Sequence, residues 1–187
     1  MAAALCLRPN LIYKVFYRPV TLEEILHSKD QRRLEQKRLL REFPDKTLVV
    51  LTVVIPGNIK KCYESEIISK EGLRLLDEYF SEKIIYKDVR DLVTGFEAYF
   101  ILDSQDKQKI KKKVIEIEDN TSLGRYMDID VLDDEGIPIS RRQMGYPARK
   151  CILCDDVARV CMRLGKHSYT EILNKIKEEV DRYVRRI

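Results

Sequence analysis

The chain has 187 residues, of which 44% are hydrophobic and 35% charged, with 35 Lys and Arg against 31 Asp and Glu for a net charge of +4. That is one ordinary domain with enough apolar side chains to bury a core. It contains no apolar run of the roughly 18 residues needed to cross a membrane, and its charge is too balanced to indicate a nucleic-acid protein. The charge is unevenly spread: residues 1–46 and 147–187 each hold 10 basic and 6 acidic side chains, whereas 47–146 hold 15 and 19. The five cysteines are an odd number, and Cys151, Cys154 and Cys161 fall within eleven residues. That argues against a secreted disulfide framework and for a reducing, cytoplasmic setting in which thiols bind metal or react.

In chain order, residues 1–20 read as an extension or an early translation start. Their apolar stretch is too short for a secretory signal and ends at Arg8-Pro9. Thr21 and Glu24 have capping-box spacing and open a charged surface helix to about residue 43, where Pro44-Asp45 stops it. The β-branched run 47–55 (TLVVLTVVI) predicts a central strand buried on both faces, ended by Pro56-Gly57-Asn58. Residues 63–80 predict a helix with Ile67, Ile68, Leu75, Leu76, Tyr79 and Phe80 on its buried side. Short strands are expected at 84–86 and 97–102, around the break at Thr94-Gly95. Residues 104–118 predict a helix with Ile110, Val114 and Ile117 inside and a solvated lysine face at 107, 109, 111, 112 and 113. Residues 126–132 (YMDIDVL) alternate as a strand, with a return strand expected at 137–140 across the Asp133-Asp134-Glu135-Gly136 turn. Helices close the chain near 155–164 and from the capping box Ser168–Glu171. This order predicts a single α/β (α+β) domain over 21–187: a mixed, mostly antiparallel sheet covered by helices, with an Asp-x-Asp hairpin like that of nucleotidyltransferases.

Four groups could carry chemistry. Alternate strand residues point to one face, so Asp128 and Asp130 project together about 7 Å apart at the backbone. Two such carboxylates repel unless a cation lies between them, and Mg²⁺ uses one or two carboxylates plus substrate phosphates. A solvent-facing acidic pair is the plainer alternative. Arg125, Arg141, Arg142, Arg149 and Lys150 surround this stretch in sequence, and arginine forks match phosphate oxygens; an ordinary basic surface would look the same. Cys151, Cys154, Cys161 and His167 form C-x₂-C-x₆-C-x₅-H, which suits structural zinc, a redox C-x-x-C or buried free thiols. Cys6 and Cys62 have no such partners in the pattern. Glu97 is a candidate third carboxylate or base, or simply a charged strand start.

These segments together resemble the holo-acyl-carrier-protein synthase family of citrate lyase (apo-citrate lyase phosphoribosyl-dephospho-CoA transferase), from about Thr21 to the end of the chain. Gly124-Arg125-Tyr126-Met127-Asp128-Ile129-Asp130-Val131-Leu132 resembles the family's G-R-hydrophobic-aromatic-D-I-D-V-L. Ser140-Arg141-Arg142, Arg149-Lys150-Cys151-Ile152-Leu153-Cys154, Cys161-Met162-Arg163 and His167 resemble the segments that follow it. Pro56-Gly57-Asn58-Ile59-Lys60 and Gly95-Phe96-Glu97 resemble two further family segments, with Asn58 and Phe96 each replacing a proline. The resemblance implies a cytoplasmic bacterial nucleotidyltransferase acting on triphosphoribosyl-dephospho-coenzyme A and the apo acyl carrier (γ) subunit of citrate lyase, with no nucleic acid or membrane as partner. It implies Asp128 and Asp130 as the catalytic Mg²⁺ pair, with Gly124, Arg125, Arg141, Arg142 and Arg149 on the substrate; Zn²⁺ at the Cys/His set fits but is not demanded. Two other readings are open at this point: a zinc-stabilised nucleic-acid- or protein-binding module, and a metal-dependent nucleotidyltransferase with another substrate.

Overall fold

The computed structural model describes residues 17–187, so most of the N-terminal extension, Cys6 included, lies outside the described residues. The described chain runs α1 (Leu22–Glu42), β1 (Thr47–Val53), α2 (Tyr63–Phe80), β2 (Ile84–Leu92), β3 (Gly95–Leu102), α3 (Lys107–Asn120), a single 3₁₀ turn (Gly124–Tyr126), β4 (Met127–Val131), α4 (Ala158–Leu164) and α5 (Tyr169–Val184). The four strands form one sheet in the order β2-β3-β1-β4, antiparallel at every joint. β1 lies inside the sheet because Thr47 to Leu51 are buried on both faces, as its unbroken β-branched run requires.

Helices cover both faces. One face carries Val49, Leu51, Ala98, Phe100, Ile129 and Val131, packed with Ile68 and Leu76 of α2, Ile110 and Val114 of α3 and Ile176 and Val180 of α5. The other carries Leu48, Val50, Tyr99, Ile101 and Leu132 under Leu39 of α1. Both expected capping boxes form: Thr21 with Glu24 at α1, and Ser168 with Glu171 at α5.

Three expectations need correction. The return strand at 137–140 does not form: after the turn there is one bridge, Leu132 to Pro138, and one further bond from the Ile139 N–H to the Val131 carbonyl (2.9 Å). The Asp-x-Asp segment is therefore an edge strand and not half of a hairpin, since Pro138 has no N–H to continue a ladder. β2 is three times the expected three residues, because Lys87, Asp88, Arg90 and Asp91 occupy an edge strand on which charge is tolerated and protective. Lys111 is not on a solvated face: it is 4% exposed.

Candidate active site

β4 is the edge of the sheet, and an edge exposes a row of backbone donors and acceptors. Here that row is closed by side chains from elsewhere. The Ile129 N–H donates to Glu118 Oε1 (3.0 Å), and Lys111 Nζ donates to the Ile129 carbonyl (3.1 Å). Arg149 donates to the Met127 carbonyl (3.2 Å) and forms an ion pair with Glu118. Lys111 and Glu118 both come from α3, seven residues apart and hence on one helix face, and Glu118 is 1% exposed. Buried charges of this kind are stable only when paired and hydrogen-bonded. Burial pulls the Lys111 ammonium below its ordinary range, against the pull of the Glu118 and Asp130 carboxylates.

Around this charged edge stand the residues singled out by sequence. Asp128 pairs with Thr52 and Asp130 with Val50 across β1, so the two carboxylates leave the sheet on the α1 face. α1 attaches to that face through β2 and β3: Arg32 and Ser28 contact Glu97 on β3, and Glu35 contacts Arg90 on β2. Asp128 is exposed and Asp130 half-buried. Neither has a hydrogen bond or ion pair among the described residues. Burial first, and the Asp128 charge second, push the Asp130 carboxyl up to about 6. Two neighbouring carboxylates with no internal partner, one already resisting ionisation, match the donor set expected for a hard divalent cation.

The arginines divide. Arg141 is mostly buried and bonds Asp119 at the end of α3 (2.5 Å), leaving its Nε without a partner. Arg125 donates to the Lys150 carbonyl. Its partner adjoins Arg149, and Arg149 and Arg141 pair with the consecutive residues Glu118 and Asp119; burial first, then the charges of Arg149 and Arg141, lowers the Arg125 pKa. Arg142 is exposed in the turn that follows Ser140, and its side chain makes no hydrogen bond or ion pair among the described residues. Gly124 sits where a Cβ would lie 2.5 Å from the Glu118 carbonyl and 2.6 Å from that of Ile117. Its lack of a side chain lets the chain turn tightly from α3 into β4.

Glu97 is not brought to the aspartates. It faces the same side of the sheet as Asp128, but Thr52 of β1 lies between them, a separation of two strands or about 10 Å. Its oxygens are also engaged: Oε1 accepts from Arg32 Nε (2.9 Å) and Oε2 from the Tyr99 hydroxyl (2.6 Å), at 2% exposure. Glu97 thus ties α1 to the sheet.

Cys151, Cys154, Cys161 and His167 do converge: their ligand atoms all lie within 4.8 Å of one another. The residues that sequence reasoning missed are Lys111 and Glu118. Their signal was present as the series Lys111, Ile115, Glu118, which runs beside the apolar stripe Ile110, Val114, Ile117 at the same helical spacing.

Residues 20–183 match a family described as apo-citrate lyase phosphoribosyl-dephospho-CoA transferase. Among curated relatives, the chain is similar to a protein of Streptococcus pyogenes serotype M18 named "Probable apo-citrate lyase phosphoribosyl-dephospho-CoA transferase", with 36% identity over 166 residues, 85% of this chain and 84% of the other. A Vibrio cholerae serotype O1 (strain M66-2) protein of the same name is 33% identical over 168 residues, 88% of this chain and 93% of the other. The chain also matches "Protein CitXG" of Haemophilus influenzae at 30% identity over 161 residues, which is 84% of this chain but 34% of that longer protein.

Proposed function

The chain belongs to the apo-citrate lyase phosphoribosyl-dephospho-CoA transferase family and is a transferase, and we propose that it transfers the phosphoribosyl-dephospho-coenzyme A group of 2′-(5″-triphosphoribosyl)-3′-dephospho-coenzyme A to a serine of the apo acyl carrier (γ) subunit of citrate lyase. In this reaction the serine Oγ forms a bond to the α-phosphorus, the bond from that phosphorus to the departing diphosphate breaks, and the serine proton passes to solvent. The nucleophile is on the carrier, so the enzyme needs to position and neutralise charge and does not need a serine of its own.

The observation that carries this reading is the pair Asp128 and Asp130, without a hydrogen bond or ion pair among the described residues, with Lys111 and Arg149 close enough to act on the Asp130 charge. The pair fits Mg²⁺, which when bound there would supply charge neutralisation for the triphosphate. Arg125, Arg141 and Arg149 are oriented by the protein before substrate arrives, through the Lys150 carbonyl, Asp119 and Glu118 respectively. Groups preorganised in this way act on charge that develops on the leaving diphosphate without first having to reorient. Lys111 is locked on the β4 backbone, close enough to the aspartates for their charges to oppose the pull of burial on its ammonium. Gly124 serves this site by allowing the turn that sets Arg125 beside β4, and Arg142 is free to meet substrate from the exposed turn.

The test is a mass measurement. Protein, Mg²⁺, the triphosphoribosyl precursor and apo carrier subunit are mixed, and the carrier is weighed. A mass gain equal to the phosphoribosyl-dephospho-coenzyme A group on the carrier serine is expected. An unmodified carrier with a competent precursor would reject the proposal, and modification with a different nucleotide in preference would assign another substrate.

A further inference from the structure

Residues 149–168 form a lobe with almost no core. Cys161 is the one buried residue in it, while Val157, Val160, Met162 and Leu164 are 40–77% exposed. A segment of this size cannot order itself by apolar burial and needs a cross-link of another kind.

The backbone nevertheless has a defined path. Lys150 and Val157 form an antiparallel bridge. The Cys151 N–H donates to the Asp156 carbonyl (2.7 Å) and the Ala158 N–H to the Arg149 carbonyl (2.9 Å). This tight loop carries Cys151 and Cys154, and the Leu153 N–H points at Cys151 Sγ (3.5 Å), as backbone amides do toward a thiolate ligand. α4 then presents Cys161. The left-handed Gly165 (φ 57°) ends that helix and turns the chain so that His167 comes back to the thiols.

Cys154 Sγ lies 3.4 Å from Cys161 Sγ, and His167 Nε2 lies 3.2 Å from Cys154 Sγ and 3.9 Å from Cys161 Sγ. For a tetrahedral zinc with bonds of roughly 2.0–2.3 Å, neighbouring ligand atoms are separated by about 3.3–3.8 Å. The thiols are free and not joined as a disulfide.

The geometry points to a structural zinc centre made by Cys151, Cys154, Cys161 and His167, and to a specific task for it: holding Arg149 and the Lys150 carbonyl against the β4 edge. Four protein ligands close the coordination sphere, which separates this centre from a catalytic zinc with an open position. The residues just before the first ligand are the ones that reach the active site. Arg149 bonds Glu118 and the Met127 carbonyl, and the Lys150 carbonyl receives Arg125. The centre thus acts on the site by positioning, and zinc binding itself does not depend on the transferase reading.

Three readouts test this together: metal content, amide hydrogen exchange and transfer. Protein purified under reducing conditions is expected to hold about one zinc per chain, with three sulfur ligands and one nitrogen by X-ray absorption. Cys154→Ser should lose the metal, whereas His167→Cys, which preserves a four-ligand set, should keep it. Chelation of the zinc should speed exchange at least about tenfold across 149–168 and at the Ile129 amide, while β1 and β3 stay protected. Absence of zinc after reconstitution with Zn²⁺, a chain mass showing a Cys154–Cys161 disulfide, or zinc removal that leaves exchange at 149–168 and Ile129 unchanged would each overturn it. Absence of transfer in protein with zinc bound would count against the transferase reading and not against the centre.

Discussion

Asp130 is held between two opposed demands. It is too buried and too close to Asp128 to ionise easily, yet no cation of the protein is bonded to it. Replacing either aspartate by asparagine removes the donor set while keeping size and strand propensity. Asp128→Asn and Asp130→Asn should each slow carrier modification by about 10² or more, the scale of removing one preorganised electrostatic group; rates within twofold of the parent would take the metal away from these positions. Glu97 is expected to behave differently. Glu97→Gln should keep transfer within a few fold and instead weaken the tie to α1, with a loss of about 1–3 kcal/mol in denaturant unfolding; a collapse of activity at unchanged stability would return Glu97 to the catalytic group. Gly124→Ala is a third case. The atoms its Cβ would meet are backbone carbonyls of α3, which cannot swing aside, so destabilisation by at least about 1–3 kcal/mol is expected.

At the scale of elements, α3 and β4 behave as one unit. An edge strand five residues long would ordinarily be a liability, and here two buried side chains of the neighbouring helix bond both backbone groups of Ile129 at its centre. Glu118 has two tasks, accepting the Ile129 N–H and pairing with Arg149, and they can be separated. Glu118→Gln keeps an acceptor for the amide but loses the ion pair, whereas Glu118→Ala loses both and leaves Arg149 without its partner. Chemical denaturation should show the alanine variant less stable by about 3–5 kcal/mol and the glutamine variant less affected. Equal effects would mean that the amide bond contributes nothing. The helix spans and caps were legible because apolar spacing and capping boxes are local signals. The length of β2 and the missing return strand were not, because whether charge is tolerated or a ladder continues depends on which strand lies alongside.

For the whole molecule, the raised Asp130 pKa links stability to pH and to cations. Below the ordinary carboxylate value near 3.8, Asp130 is protonated in both folded and unfolded chains and costs nothing. As pH rises toward about 6 the unfolded chain gives up the proton while the folded one keeps it, so stability falls; above about 6 the penalty is fully present. It amounts to roughly 1–3 kcal/mol, and a cation between the carboxylates would relieve it. Mg²⁺ should therefore raise the unfolding temperature by about 2–6 °C at pH 8 and by little at pH 5, and Asp130→Asn should abolish the difference. An equal rise at both pH values would argue against this pair as the binding site. By itself the amino-acid order determined the α+β class, a buried strand within 47–55, the helices, and the grouping of three cysteines with His167, because periodicity, capping and short-range spacing act within a few residues. Only the tertiary structure decided that Glu97 serves α1 and not the aspartates, that Lys111 and Glu118 join the site, and that the Cys/His lobe delivers Arg149 to β4. Each of those outcomes depends on which strand or helix lies alongside, and Lys111 on a helix reads the same in sequence whether its neighbour is water or a sheet edge.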